Sequence, residues 1–168
     1  MKQKIEAAAN VLFIVGILVL GALFVKDRWF PSQEPPTVAV GDTLPTIRGY
    51  DWKAHDKTLV LALRNGCHYC EDSMAFYRKL DEMEKDHHMK THLLAVFPDN
   101  PKIVTAVLGA QQLHVDYIAP VPLSSLKVTG TPTLIAVNSE GQVTASWVGQ
   151  LPGAGEDSVI KLVSTGRN

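Results

Sequence analysis

The sequence predicts an α/β domain, a central mixed sheet flanked by helices, carried behind an N-terminal transmembrane helix. Three observations predict it. Apolar runs of strand length at 58–63, 91–97 and 133–137 are separated by segments of helical periodicity. A turn sequence, Asn138-Ser139-Glu140-Gly141, joins the last of these runs to another at 143–148. Residues 7–25 form a stretch of 19 residues with no charge.

That stretch comes first. As a helix it spans about 28 Å, close to the ~30 Å of a hydrocarbon core. Lys2 and Lys4 precede it, Lys26, Asp27 and Arg28 follow, and Trp29-Phe30 suit the interfacial aromatic belt. The segment Val25-Lys26-Asp27-Arg28 stands where a cleavage site would need small residues, and no cysteine is present for a lipoprotein signal. Residues 1–29 therefore read as an uncleaved signal-anchor. Its flanking charges balance, so the positive-inside rule does not set its orientation. Residues 30–37 are a Pro-rich spacer, extended and fairly stiff. Residues 38–168 remain for one domain with a proper core. The net charge of −1 gives no nucleic-acid surface, and no phosphate-binding glycine loop is present. No cofactor is expected.

Within the domain, Gly41-Asp42-Thr43-Leu44-Pro45 is turn-like and a short strand is expected at 46–49. The run 58–63 is apolar from Leu59 onward, as a strand covered on both faces would be. After it, from 71 to about 87, Met74, Tyr77, Leu80 and Met83 make one helical stripe. Residues 91–97 are a second buried strand, stopped by Pro98-Asp99-Asn100-Pro101. A helix is expected over 102–112 with Ile103, Val107 and Leu108 on one face. Residues 114–128 look irregular, with a helical turn at 124–128. Strand 133–137, the hairpin, strand 143–148 and a closing helix over 155–163 complete the domain. Strands joined through helices run parallel, and the hairpin adds an antiparallel edge. Trp52, Phe76 and Trp147 are expected to pack.

Cys67 and Cys70 are the two cysteines of the chain. Strand, then Cys-x-x-Cys, then helix places Cys67 at a helix N-terminus. Unpaired N–H groups and the helix dipole favour the thiolate there. A thiolate beside a second thiol makes and breaks disulfides. Cys67 is expected to be the solvent-facing, attacking sulfur, and Cys70 the buried resolving one. A purely structural disulfide is a poor use of so short a loop, since its closure gains little entropy. His68, when protonated, would stabilise the Cys67 thiolate. Tyr69 either shapes a substrate groove or covers the helix start. Cys67-x2-Cys70 with His88-x3-His92 loosely mimics a zinc finger. However, the 17 residues between Cys70 and His88 read as one continuous helix that would hold the pairs apart, so no metal is expected.

Together with Thr131-Pro132-Thr133 at the start of the strand before the hairpin, these residues resemble the thioredoxin superfamily. The Gly41-Asp42-x-Leu44-Pro45 opening and the anchor resemble its membrane-tethered, TlpA-like branch. The resemblance implies a thioredoxin-like fold over nearly all of 38–167. It implies a cis Pro132 packed against the dithiol, with Thr131 and Pro132 holding an extended substrate chain. The implied activity is thiol-disulfide oxidoreduction. The implied partners are protein thiols and disulfides and an upstream membrane or periplasmic electron partner. A dithiol pair on an N-terminal anchor is most useful where disulfides persist, so the expected place is the cytoplasmic membrane of a bacterium, single-pass, with the catalytic domain on the periplasmic side. The chain departs from the family's pattern before the first cysteine, where Gly66 replaces Trp. It departs again at Leu61, where thioredoxins carry a buried Asp, and at Ser73, where some tethered relatives carry Glu.

Two other functions compete. A peroxiredoxin-like peroxidase wants Thr three residues before its cysteine, and this chain has Arg64. A non-catalytic tethered module would hold a partner's cysteine during cytochrome or metal-site maturation.

Overall fold

The computed structural model describes residues 13–17, 37–86 and 91–164. The chain divides into two units, Met1–Pro35 and Pro36–Asn168. In the first, residues 13–17 are helical. The rest of the expected membrane helix, and the spacer up to residue 36, lie outside the described residues. Among the described residues no helix is long and apolar enough to cross a membrane.

The second unit is built on a five-stranded sheet. In chain order its elements are β1 (Lys57–Ala62), α1 (His68–Asp72), α2 (Met74–Lys85), β2 (His92–Phe97), α3 (Pro101–Ala110), β3 (Tyr117–Pro120), β4 (Thr133–Asn138), β5 (Val143–Val148) and α4 (Gly153–Ser164). The sheet order is β3-β2-β1-β4-β5. β1, β2 and β3 run parallel, as helical crossovers require. β4 runs antiparallel to both β1 and β5. The sheet is therefore mixed, and β1 lies at its centre.

Alternation along the strands sends side chains to two faces. Leu59, Leu61 and Leu63, with Leu93, Ala95, Phe97, Leu134 and Ala136, meet residues of all four helices, among them Cys70, Tyr77, Leu80, Leu108 and Val159. Val60, Ala62, Leu94, Val96, Ile135 and Val137 face the other way. Irregular chain covers them: Val38, Leu44, Ile47, Tyr50 and Trp52 before β1, and Leu123, Leu126 and Val128 around a 3₁₀ turn. Trp52 and Phe76 are buried, and Trp147 is half-buried with its Nε1 donating to Ser158 Oγ at 3.1 Å.

Four expectations need correction. No strand forms at 46–49. The isolated bridge of this stretch lies ahead of it, Thr43 to Gln142, beside the hairpin. Pro45 then offers no N–H, and Gly49 turns the chain at φ +78°. The irregular stretch 114–128 contains a strand, β3, whose four residues end on Pro120. Proline is tolerated there because β3 is an edge. On α3 the buried pair is Val104 and Leu108, spaced i and i+4, while Ile103 points to solvent. The helix expected from 71 begins at His68 and is interrupted at Ser73. The Ser73 hydroxyl donates to the Tyr69 carbonyl at 2.7 Å, a back-bond that bends helices.

A polar cluster lies at the end of β1 remote from the cysteines. Tyr50 Oη is 2.7 Å from Thr58 Oγ1 and 3.1 Å from His92 Nδ1. His92 stacks on His55 with ring centroids 3.7 Å apart, and its Nε2 is 3.8 Å from Asp116 Oδ2. Burial lowers the His92 pKa below its ordinary value, Asp116 opposes this, and His55 adds to the lowering. The unfolded chain thus takes up the proton first, near pH 6.5. Stability present above that pH is lost as the pH falls towards the folded-state value. Urea unfolding of the full chain at pH 7.5 and 5.5 should show a lower midpoint at pH 5.5. His92→Gln should narrow the gap; an equal gap in both proteins would remove His92 as its cause.

Candidate active site

Leu63 is still pinned to the sheet, its N–H donating to the Val96 carbonyl at 2.9 Å. The chain then leaves β1 and turns at Gly66, whose φ of +68° only glycine adopts without cost. Nothing lies within 4 Å of where a Cβ would stand, so the requirement is conformational rather than steric. This turn delivers Cys67 to the N-cap of α1. Its Sγ accepts the Cys70 N–H at 3.2 Å, the place a Ser or Asp oxygen takes in an ordinary cap. An N–H aimed at a sulfur stabilises charge on it, so the reduced form of Cys67 favours the thiolate.

Cys67 and Cys70 are joined in a disulfide, with Cα atoms 5.2 Å apart. Cys67 is half-buried and Cys70 is buried at 1% exposure. The loop before β4 faces the outer sulfur. The Thr131–Pro132 peptide bond is cis. The Thr131 carbonyl oxygen lies 3.5 Å from Cys67 Sγ, and the Thr131 hydroxyl donates to the same sulfur at 3.4 Å. The loop is fixed from both sides: Gly149 N–H donates to the Pro132 carbonyl at 2.7 Å, and Thr133 Oγ1 donates to the Gly130 carbonyl at 2.8 Å. Residues 64 positions apart in sequence thus share one sulfur.

His68 and Tyr69 are placed differently. Both are exposed, and their rings lie 5.8 Å apart. His68 Nε2 is 3.4 Å from Asp72 Oδ2, one turn along α1. Tyr69 is 59% exposed.

Behind Cys70 the environment is apolar: Leu61, Met74 and Tyr77 belong to its buried cluster. The Tyr77 hydroxyl has no hydrogen-bond partner among the described residues. Burial pushes its pKa up to about 12, so it stays a phenol and is no base for Cys70. His92 does not approach the sulfurs. The register pairs it with Thr58, at the opposite end of β1. His87 and His88 lie outside the described residues.

Sequence reading overlooked one feature. A cleft of about 60 Å³ opens at Thr131, the residue that touches the outer sulfur, and is lined by Arg64, Leu123, Val128, Thr129, Gly130 and Thr131. Its walls come from three separate stretches of chain, and only the position of Arg64 just before the dithiol hinted at it.

No family model matches the chain, and no curated protein matches it in sequence. Solved structures do match. A thiol:disulfide interchange protein from Bacteroides sp. is 21% identical, with 78% of this chain and 94% of that one covered, at a TM-score of 0.59. A thiol-disulfide isomerase from Corynebacterium glutamicum is 10% identical over 80% and 99% of the two chains, at a TM-score of 0.57. A thiol:disulfide interchange protein of the thioredoxin family from Chlorobium tepidum is 16% identical over 79% and 99%, at a TM-score of 0.53. The structural neighbours are thus thiol-disulfide oxidoreductases and isomerases, and this chain carries a Cys-x-x-Cys pair at a helix mouth on a mixed sheet. The chain has the thioredoxin-like fold.

Proposed function

We propose that this chain is a membrane-anchored thiol-disulfide oxidoreductase that exchanges disulfides with protein substrates outside the cytoplasmic membrane of a bacterium. One observation carries the reading. The outer sulfur of the Cys67–Cys70 disulfide is partly open to solvent, and the Thr131 carbonyl and hydroxyl stand against it. The uncharged stretch 7–25 supports the anchor, and a dithiol is most useful where disulfides persist.

In the oxidising direction a substrate thiolate attacks Cys67 Sγ. The Cys67–Cys70 bond breaks and its electron pair leaves on Cys70, giving a mixed disulfide. A second substrate thiolate then attacks the substrate sulfur and displaces Cys67 as thiolate, which the Cys70 N–H stabilises. The substrate has lost two electrons and the pair has gained them; reduction is the reverse. Thr131 and Pro132 hold the substrate chain, Tyr69 borders it, and protonated His68 favours the Cys67 thiolate. An electron partner in the membrane or periplasm resets the pair.

The full chain in detergent should reduce insulin disulfides or refold reduced ribonuclease, and the Cys67→Ala, Cys70→Ala double variant should do neither. Equal behaviour of the two proteins would favour a tethered binding module instead. The anchor is tested separately. The chain should stay in membranes through an alkaline wash, and protease added to spheroplasts should digest its domain. Release by the wash, or protection from the protease, would overturn the placement.

A further inference from the structure

We infer that the cleft beside Cys67 is a subsite for an acidic side chain next to the reacting cysteine of the substrate, with Arg64 as its specificity-determining residue. The inference rests on the proposed disulfide exchange and names which substrates that exchange prefers. Three observations carry it. The cleft holds about 60 Å³, room for a group of a few atoms. Thr131 lines the cleft and also touches Cys67 Sγ, so a group seated there belongs to a residue close to the cysteine under attack. The one charged residue in its lining is Arg64, and the rest are aliphatic, hydroxyl or glycine.

The guanidinium is free to take such a partner. Among the described residues no carboxylate makes an ion pair with Arg64. Two acids close to the dithiol in sequence or contact have other partners. Asp99 Oδ2 accepts the Asn65 N–H at 3.3 Å, and Asp72 faces His68. Arginine presents a planar fork of donors that matches a carboxylate in two parallel hydrogen bonds. The aliphatic walls of Leu123 and Val128 thin the water around such a pair, so it is screened less than one on an open surface.

The test uses the reduced full chain in uncharged detergent and three disulfide-linked peptide dimers, identical except for Glu, Gln or Lys beside the cysteine. Each reaction converts the dithiol to a disulfide and releases two peptide thiols. Wild type should react with the Glu dimer about 5- to 10-fold faster than with the Lys dimer, the scale of one partly screened ion pair. The preference should shrink at 0.5 M salt. Arg64→Met should bring the two rates together, and Arg64→Glu should favour the Lys dimer. The ratio within each protein is the readout, because both peptides meet the same thiolate. Lys53→Glu, an exposed charge change away from the dithiol, should keep the wild-type ratio. Exchange of all three dimers at one rate, or a ratio that Lys53→Glu shifts as far as Arg64→Glu does, would overturn the subsite and leave the exchange reaction standing. No exchange with any dimer would overturn both.

Discussion

Cys67→Ala should abolish disulfide exchange, while Cys70→Ala should yield a protein that forms mixed disulfides and keeps them. The difference follows from position. Cys67 caps α1, receives the Cys70 N–H and is partly open to solvent. Cys70 is sealed beneath it at 1% exposure. Removing the outer sulfur removes the atom through which a substrate reaches Cys70, and a loss of about 10³-fold or more is expected, the scale for losing a covalent nucleophile. Removing the inner sulfur leaves the first attack intact but deletes the group that resolves the intermediate. Non-reducing gels after incubation with oxidised insulin separate the two. Cys70→Ala should run as an adduct that a reductant releases, and Cys67→Ala should run free. An adduct on Cys67→Ala in place of Cys70→Ala would reverse the assigned roles.

Leu61→Ala should cost the fold about 2–5 kcal/mol, a large part of the ~5–15 kcal/mol that holds a typical domain. Leu61 is fully buried in the central strand, between Ala95 of β2 and Leu134 of β4. Its side chain joins the cluster that holds Cys70, Met74 and Tyr77. Truncation removes apolar contact and leaves a cavity that β1, paired on both sides, cannot close by shifting. Leu61→Met, of similar volume, should cost less than about 1.5 kcal/mol. Urea unfolding of the full chain in detergent, followed by tryptophan fluorescence, reads both. Similar midpoints for the two variants would mean that the site relaxes and that β1 is not the rigid centre of the sheet.

The same residue shows how this chain departs from the family it resembles. An apolar side chain stands where thioredoxins bury an acid. Among the described residues, the buried cluster that holds Cys70 adds apolar side chains and a phenol that burial keeps protonated. The reduction potential of the pair, within the roughly −270 to −120 mV that such dithiols span, indicates which direction of exchange the protein favours.

Elements whose signals are local are legible in the residues alone. Residues 59–63, 93–97 and 134–137 are apolar throughout because both faces of a central strand are covered. The turn at Asn138 is legible because its Oδ1 accepts the Glu140 and Gln142 N–H groups within five residues of chain. The order strand, Cys-x-x-Cys, helix was equally local, and it fixed which sulfur lies outermost. Features that depend on partners distant in the chain emerge with the folded packing. β3 is a strand because β2 offers it a ladder, a fact its four residues and terminal proline could not announce. Irregular chain covers the second face of the sheet, and irregular chain has no period to detect. Val104 replaces Ile103 in the core because the start of α3 at Pro101 sets the helix phase. The contacts of Thr131 with Cys67, and the cleft that places Arg64 at the same mouth, exist because antiparallel pairing of β4 with β1 brings the start of one strand beside the end of the other.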